Sequence, residues 1–453
     1  MTAMEPLAAW IDRELEHAAA QMLRSISPTD LLKTRPGFGQ TIRARRGSIV
    51  ASPVLAAYDP DPDYFFHWYR DSAVVIEALG VLFEQAHPQG APAHRLLEHF
   101  ADFVRFSLAL RELDGRALGA ASDWRGRVCE DFLRFVRSDR ELEAVHGDAV
   151  AADTRVNADG TLDISRWARP QHDGPALRAL AVLRWMRRAA FDPPLRAAAS
   201  SLLRADLEFV RRHAHTPCFD IWEEEEGLHY YTLCVSAAAL NEGARWLAEH
   251  AEGEEASVCR REAAALYESL DRYWLAGEGH YRSRMLASGA PSPKDLDISV
   301  VLAALHAAGD RERHCPRDPR IHATLERLTA LFEAEYAINR GRPPSRAPAL
   351  GRYRNDVYYS GGAYYFSTLA AAELCYRAAA GTAASEQAHA LAAQGDAFLE
   401  TVRAFTPPSG DLSEQFDRNT GAQTSAKHLA WSYAAFISTT AARRALTLRS
   451  GSR

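Results

Sequence analysis

The chain has 453 residues, of which 47% are hydrophobic and 25% charged, a globular composition long enough for two or three domains or one large toroid or barrel. Its 53 lysines and arginines against 59 aspartates and glutamates leave a formal charge of −6, which argues against nucleic acid or an anionic membrane as the main partner. Six scattered cysteines without a CxxC pair argue against a disulfide framework and are expected to be buried thiols.

The chain opens on "MTAMEPLAAWIDRELEHAAAQML", where Glu5, Asp12 and Glu14 interrupt any apolar stretch. It reads as a helix over 5–24 and not as a secretory signal. No apolar run approaches the roughly 18 residues that span a bilayer. A cytoplasmic location is the expectation. Next comes "GSIVASP" at 47–53, the best of few strand-like stretches. Helical patterns follow near 71–86, 93–113, 127–145 and 174–191, the last with Asp173 placed to cap and Pro175 in the first turn.

In 198–211, Leu203, Leu207 and Val210 fall at i, i+4 and i+7; Leu233, Ala237, Leu240, Ala244 and Leu247 repeat the spacing over 231–248. Further helices are expected near 257–275, 297–307, 319–336, 362–380 and 385–405, and Leu429, Tyr433 and Phe436 mark one near the end. The connections 34–66, 146–172, 276–295 and 337–361 are long for helix–helix loops, and such loops are usually functional. The expectation is an all-α chain of one domain, undivided by any Pro/Ser linker. Segment 113–165 contains no readable motif.

Phosphate-loop, HExxH and GxSxG patterns are absent, and "GFGQTI" at 37–42 lacks the third glycine of a dinucleotide fingerprint. The pairs His94/His99 and His213/His215 lack a third metal ligand at a suitable spacing, so no metal site is assigned. Five loop-rich clusters instead combine aromatics, arginines and carboxylates. They are "PDYFFHWYRDS" (62–72), "RWARPQHDGPALR" (166–178), "FDIWEEEEG" (219–227), "GRYRNDVYYSGGAYYF" (351–366) and "GDLSEQFDRNTGAQTSAKHLAWSY" (410–433). Aromatic faces suit the CH face of a pyranose, and its hydroxyls suit planar Arg and Asp partners.

Taken in order, "SIVASP", "YFFHWYRDS", "RPQHDGPALRA", "DIWEE", "YAINRG", "GRYRNDVYY", "TLAAAEL" and "LSEQFDRNTGAQTSAKHLAWSY" resemble the inverting glucoamylase family, glycoside hydrolase family 15, from about residue 47 to about residue 440. The resemblance implies an (α/α)6 toroid, with 1–46 as a helical lead-in, 47–445 as catalytic domain and 446–453 as a tail. It implies Glu223, the first Glu of "WEE", as general acid and Glu414 of "SEQ" as general base. An inverting pair should stand roughly 6.5–9.5 Å apart, with the attacking water between. Placement after Trp222, with Glu224 and Asp220 close, supplies the desolvation and like charge that keep an acid protonated. Glu225 and Glu226 match no functional position and read as a solvated face.

By the same resemblance Arg70 and Asp71 grip the hydroxyls of the terminal sugar, and Arg352 is a further sugar-binding arginine. Glu224 binds the sugar on the leaving-group side, Trp167 covers that subsite and Trp431 lines the terminal-sugar pocket. Tyr64 lies near the developing positive charge, and Gln415 orients Glu414. Trp68, Arg169, Trp222 and Tyr358 complete the expected sugar-contacting set, while Asp417 and Asp173 read as a turn residue and a helix cap. The chain departs from the family at Lys427-His428, where arginine and aspartate are expected, and at Gly362-Ala363-Tyr364, in place of Asn-Pro-Trp; both changes are expected at the sugar-binding rim. Ala168 stands where glycine is usual. Neither a separate starch-binding domain nor a leading β-sandwich is expected.

The implied activity is exo-hydrolysis of terminal α-1,4 bonds of maltooligosaccharides, starch-like glucan or glycogen, releasing β-D-glucose without metal or organic cofactor. Isomaltose, dextran or trehalose preference is the nearest alternative; a catalytically silent sugar-sensing module is the more distant one. Oligomeric state is not legible.

Overall fold

The computed structural model describes residues 5–57, 60–86, 90–121, 123–309, 311–383 and 385–450. Residues 451–453 of the expected tail lie outside the described residues, and the rest of that tail is the end of a helix. Helices dominate: α1 (Leu7–Leu23), α2 (Tyr69–Gln85), α3 (Ala91–Leu110), the short α4 (Gly115–Ala121), α5 (Asp139–Glu143) and α6 (Asp148–Ala151), then α7 (Asp173–Arg188) and α8 (Pro193–His213). They continue with α9 (Tyr230–Glu249), α10 (Gly253–Leu270), α11 (Ser299–His306), α12 (Pro319–Glu335), α13 (Tyr365–Ala380), α14 (Ser385–Phe405) and α15 (Ala430–Ser450). Strands are two to four residues long and form small antiparallel ribbons in the loops.

Local chemistry sets several of these boundaries. Both α8 and α12 start on an Asp-Pro pair: Asp192 accepts from Leu195 N and Asp318 from Arg320 N, while the proline occupies a position whose N–H would have no helical partner. The helix expected over 127–145 does not form. Ser138 and Glu141 close a capping box there and start α5 afresh, leaving 3-10 turns at Arg125–Arg127 and Glu130–Phe135. "GSIVASP" is not a strand. Its N–H groups go to separate acceptors, Ile49 to His67 Nδ1, Val50 to Ser25 O and Ala51 to Phe66 O, and only an isolated bridge from Ile26 to Ile49 remains.

The backbone contacts divide the chain into two compact units, interleaved in sequence. One comprises Met1–Leu23, Leu228–Ala238 and Ala265–Arg453; the other comprises Arg24–Gly227 and Ala239–Ala264. Because the chain passes between them inside α9 and α10, no linker composition could mark the division.

In the unit containing Arg24–Gly227, α2 packs on α7 and α3, and α8 on α7 and α3. A Cβ on Gly174 would lie 2.6 Å from Tyr69 Cβ, so the start of α7 reaches the start of α2 only with glycine there. Segment 113–165 contributes Trp124, Val128, Val136, Leu142 and Ile164 to a small core closed by Phe38. In the other unit α13, buried almost all round, packs on α14, α15 and α11. There α1 lies along α15, with Trp10 edge-on to Phe436 at 5.5 Å. All six cysteines are free thiols; five are buried, and Cys129 is exposed, against expectation, because it sits in the turns before α5. Among the described residues no helix is long and apolar enough to cross a membrane.

Candidate active site

The Glu223 cluster is built on a strand that runs straight into a helix. Phe66–Trp68 pairs antiparallel with Arg155–Asn157, Trp68 opposite Arg155, and α2 begins at the next residue. Arg70 and Asp71 therefore fall in the first turn of α2, both buried. Three of the four glutamates, Glu223–Glu225, lie on a tight loop between Cys218–Phe219 and Glu226–His229, and the fourth opens the second strand. Asp220 shapes that loop. Its carboxylate accepts from the backbone N–H of Trp222 (2.7 Å) and Glu225 (3.0 Å), and its carbonyl accepts from Glu223 N (2.9 Å). Glu223 is left with φ +65°, a left-handed conformation costly for a side chain with a Cβ. Glu224 and Glu225 are half-buried, and Glu226 is exposed. The solvated-face reading fits the exposed Glu226, while Glu225 is half-buried with its backbone N–H on Asp220.

Three N–H donors converge on the Glu223 carboxylate, which is 10% exposed. Trp68 Nε1 donates to Oε1 at 2.9 Å, Arg70 Nη2 to Oε1 at 3.0 Å, and Trp167 Nε1 to Oε2. Trp167 is 40% exposed, so its indole presents both this donor and an open edge to solvent. Behind it, the Arg155 guanidinium stacks 3.8 Å from the Trp167 ring, 4.7 Å from Trp68 and 4.0 Å from Phe66. Tyr64 lies 5.2 Å from Trp68, centroid to centroid.

Arg70 is the charge centre of the cluster. Besides Glu223 it meets Asp71 (3.2 Å), Asp173 (3.8 Å) and the Gln171 side-chain carbonyl (3.0 Å), and Gln171 in turn donates to Asp220 O at 2.7 Å. Burial works against the Arg70 charge, but Asp71, Asp173 and Glu223 outweigh it and hold the guanidinium protonated. Burial raises the Asp71 carboxyl, with Arg70 opposing and Glu223 adding. Burial likewise pushes Asp173 up to about 6, with Arg70 opposing and Glu223 and Asp71 adding.

Asp173 does not cap α7. The helix starts at Asp173 itself, His172 precedes it without a side-chain cap, and the carboxylate turns inward toward Arg70. Arg169 faces no open space either. Its guanidinium is engaged by Asp153, Asp163 (3.0 Å) and Ser165 O (3.2 Å), which fixes the Trp167 loop from behind.

The Glu414 cluster lies in the other unit. Gln415–Phe416 is the middle strand of a three-stranded ribbon between Ala363–Tyr364 and Gln423–Thr424. Just before it, Glu414 is 9% exposed, donates its N–H to Ala426 O at 2.7 Å and accepts from Tyr365 N at 3.3 Å. The hydroxyl of Ser425, itself at φ +63°, donates to Glu414 Oε2. Gln415, the first residue of that strand, has its side chain engaged on other partners. Its amide goes to Tyr364 OH at 2.8 Å, and Ser360 Oγ donates to its carbonyl at 3.1 Å.

That web continues through Tyr364 OH to Asp356 (3.3 Å), which accepts both Arg352 Nε (2.6 Å) and Nη2 (2.7 Å). The Arg352 guanidinium lies 5.4 Å from the Tyr358 ring. Tyr364 is 1% exposed and belongs to the core of the unit, not to a rim; burial raises its phenol well above the ordinary range. Trp431 is 4% exposed and stacked on Phe366 at 4.6 Å and 11°, so its ring is packing for α13 and not an open platform. Asp417 accepts from Asn419 N (2.9 Å) and Thr420 N (2.7 Å), the turn role expected of it. Trp222 and Glu224 flank Glu223 on the Asp220 loop, with Glu224 N 3.4 Å from Asp220 Oδ1.

Sequence reasoning missed Gln171, Arg155, Ser425 and Asp356, and gave Asp220 a like-charge role instead of its loop-shaping one. Gln171, Arg155 and Ser425 act on partners well removed in the chain, whereas Asp220 and Asp356 carried a local signal, a carboxylate two to five residues before the N–H groups it accepts.

The model of glycosyl hydrolases family 15 matches residues 152–441, a span that holds Trp167, Glu223, Arg352, Glu414 and Trp431 and leaves Tyr64–Asp71 outside. Glucoamylase-1 of Arthroderma benhamiae is 28% identical over 444 residues, covering 89% of this chain; the chain spans 65% of that relative's length. A probable glucoamylase of Schizosaccharomyces pombe is 25% identical, covering 96% of this chain and 92% of its own. The solved glycoside hydrolase family 15 glucoamylase from Hypocrea jecorina superposes with a TM-score of 0.79 at 25% identity, over 97% of this chain and 72% of that one. The all-α, (α/α)6 class expected from the sequence is the class of these solved relatives. With 441 − 152 + 1 = 290 of 453 residues matched, the chain belongs to family 15 of the glycosyl hydrolases.

Proposed function

We propose that this protein is an exo-acting, inverting α-glucosidase of the glucoamylase type, with Glu223 as general acid and Glu414 as general base. The observation that carries the reading is the convergence of Trp68, Arg70 and Trp167 on Glu223. The exposed Trp167 indole gives a sugar a stacking face and the Arg70 guanidinium its planar donors, and with Trp68 they hold the acid where a departing glycosidic oxygen would lie. Glu223 protonates that oxygen, and Glu414 draws a proton from water attacking the opposite face of the sugar. Arg70, neutralised on one side by Asp71, binds hydroxyls of the terminal residue; a chain continuing past that sugar would meet the buried pair, which restricts attack to chain ends. The relatives named glucoamylase support glucan as substrate.

The test is a panel of maltose, maltotriose, glycogen, isomaltose, dextran and trehalose assayed for free glucose, with proton NMR of the first product. Release of β-glucose from maltooligosaccharides supports the proposal. Initial α-glucose overturns inversion. Faster release from isomaltose or trehalose moves the assignment to another linkage with the same two carboxyls.

A further inference from the structure

The run Gly410–Ser413 delivers Glu414 to its place. Gly410 has φ +80°, and a Cβ there would lie 2.9 Å from the His17 ring and 3.0 Å from Glu14 Oε2, so only glycine lets the run lie against α1. Asp411 Oδ1 is 2.9 Å from His17 Nε2 and 3.9 Å from His428 Nδ1. The Asp411 carbonyl accepts from Gln423 Nε2 at 2.6 Å, and the same amide donates to Tyr365 OH at 2.9 Å. Leu412 N donates to Tyr433 OH at 3.0 Å, and His428 Nδ1 lies 2.9 Å from that hydroxyl. Ser413 O accepts from Ser432 Oγ at 2.8 Å. His428, at φ +51°, stands at one of the positions where this chain departs from its family resemblance.

We infer that Asp411, gripped between His17 of α1 and His428 ahead of α15, is a positioning residue for Glu414, and that ionisation of Glu14 beside it loosens the grip. The inference rests on Glu414 being the base. The charged and titratable groups facing the array are Arg13, Glu14 and His17 from α1, Asp411 on the run, His428 and Tyr433 at the start of α15, and Tyr365 at the start of α13. Glu14 is 2% exposed, and its Oε1 has no hydrogen-bond partner. Burial pushes its carboxyl up to about 7, with Arg13 opposing and the Asp411 charge adding to the rise.

The folded value therefore lies above the ordinary 4.5. The stabilising contribution is complete below 4.5 and is lost as pH rises through about 7, when a second negative charge appears beside Asp411. Because Glu414 follows Asp411 by three residues, displacement of the run carries the base with it.

The experiment uses the full chain with maltotriose as substrate. Asp411→Asn should lower kcat about tenfold while KM stays within about twofold, since a small misplacement of a catalytic group costs rate more than binding. Wild-type kcat should fall as pH passes about 7, and Glu14→Gln should keep kcat, and the melting temperature, from falling over that interval. Should Asp411→Asn fail to fold, Glu14→Gln decides alone. Wild-type kcat in folded Asp411→Asn, or an unchanged alkaline limb and melting profile in Glu14→Gln, overturns the inference. If the wild type releases no sugar from any glucan, the functional reading fails separately, and the melting profile of Glu14→Gln still tests the array.

Discussion

Glu223 is gripped by nitrogen and Glu414 by oxygen. Two indole N–H groups and a guanidinium, all rigid and planar, aim at the first, and the hydroxyl of Ser425 holds the second, with a web of Tyr364, Ser360 and Gln415 on the strand behind it. A hydroxyl turns freely between donating and accepting, so under the proposed mechanism Ser425 adjusts when Glu414 takes a proton from water. An indole or guanidinium can only donate, which fixes the Glu223 oxygens in one geometry and obliges an incoming sugar to displace a donor. Both clusters hold non-glycine residues at positive φ, Glu223 itself in one and Ser425 and His428 among those in the other.

The contrast breaks if either carboxyl can be spared. Glu223→Gln should cost on the order of 10³-fold in kcat for glucose release, and Glu414→Gln roughly 10²-fold or more, both with folding intact by circular dichroism. A Glu414→Gln variant near wild-type rate would leave the oxygen-held cluster without a catalytic role. Asp220→Ala unfastens the acid loop, leaving the N–H groups of Trp222 and Glu225 without their acceptor, and should lower kcat about 30-fold by misplacing Glu223.

Trp167→Phe keeps the face against Arg155 and removes one donor to Glu223, so a loss of about tenfold in kcat/KM is expected, as for one hydrogen bond to a charged group. A separate effect is on stability, with activity unneeded for its readout. Asp173, raised from 3.8 to about 6, contributes fully below pH 3.8 and loses that contribution as pH rises through about 6. Asp173→Asn should therefore match the wild type in urea at pH 4 and exceed it by up to about 3 kcal/mol near pH 8.

Much of the helical framework was legible because apolar residues at i, i+4 and i+7 mark a face whatever surrounds it, as Leu203, Leu207 and Val210 do in α8. The failure over 127–145 has the same origin. Periodicity registers Leu133 and Phe135, which are in fact 40% and 47% exposed, and gives no weight to the serine that restarts the helix at Ser138. Glu223 and Glu414 were legible from motif resemblance, while their holders were not. Arg155 meets Trp68 only through strand pairing, and Ser425 meets Glu414 only through the ribbon that Gln423–Thr424 completes. Arg169 and Trp431 were expected as sugar contacts from the family resemblance; in space they are engaged by Asp153 and Phe366, partners that no motif announces.

The pairing of α1 with α15 has a consequence for biosynthesis. Trp10 packs on a helix that begins 407 positions after α1 ends (430 − 23). At about 5–20 residues per second, the ribosome leaves that side chain without its native cover for roughly 20–80 seconds. During that interval the nascent chain offers a sticky N-terminus to chaperones or to its neighbours, and any early stop codon before α15 makes the exposure permanent.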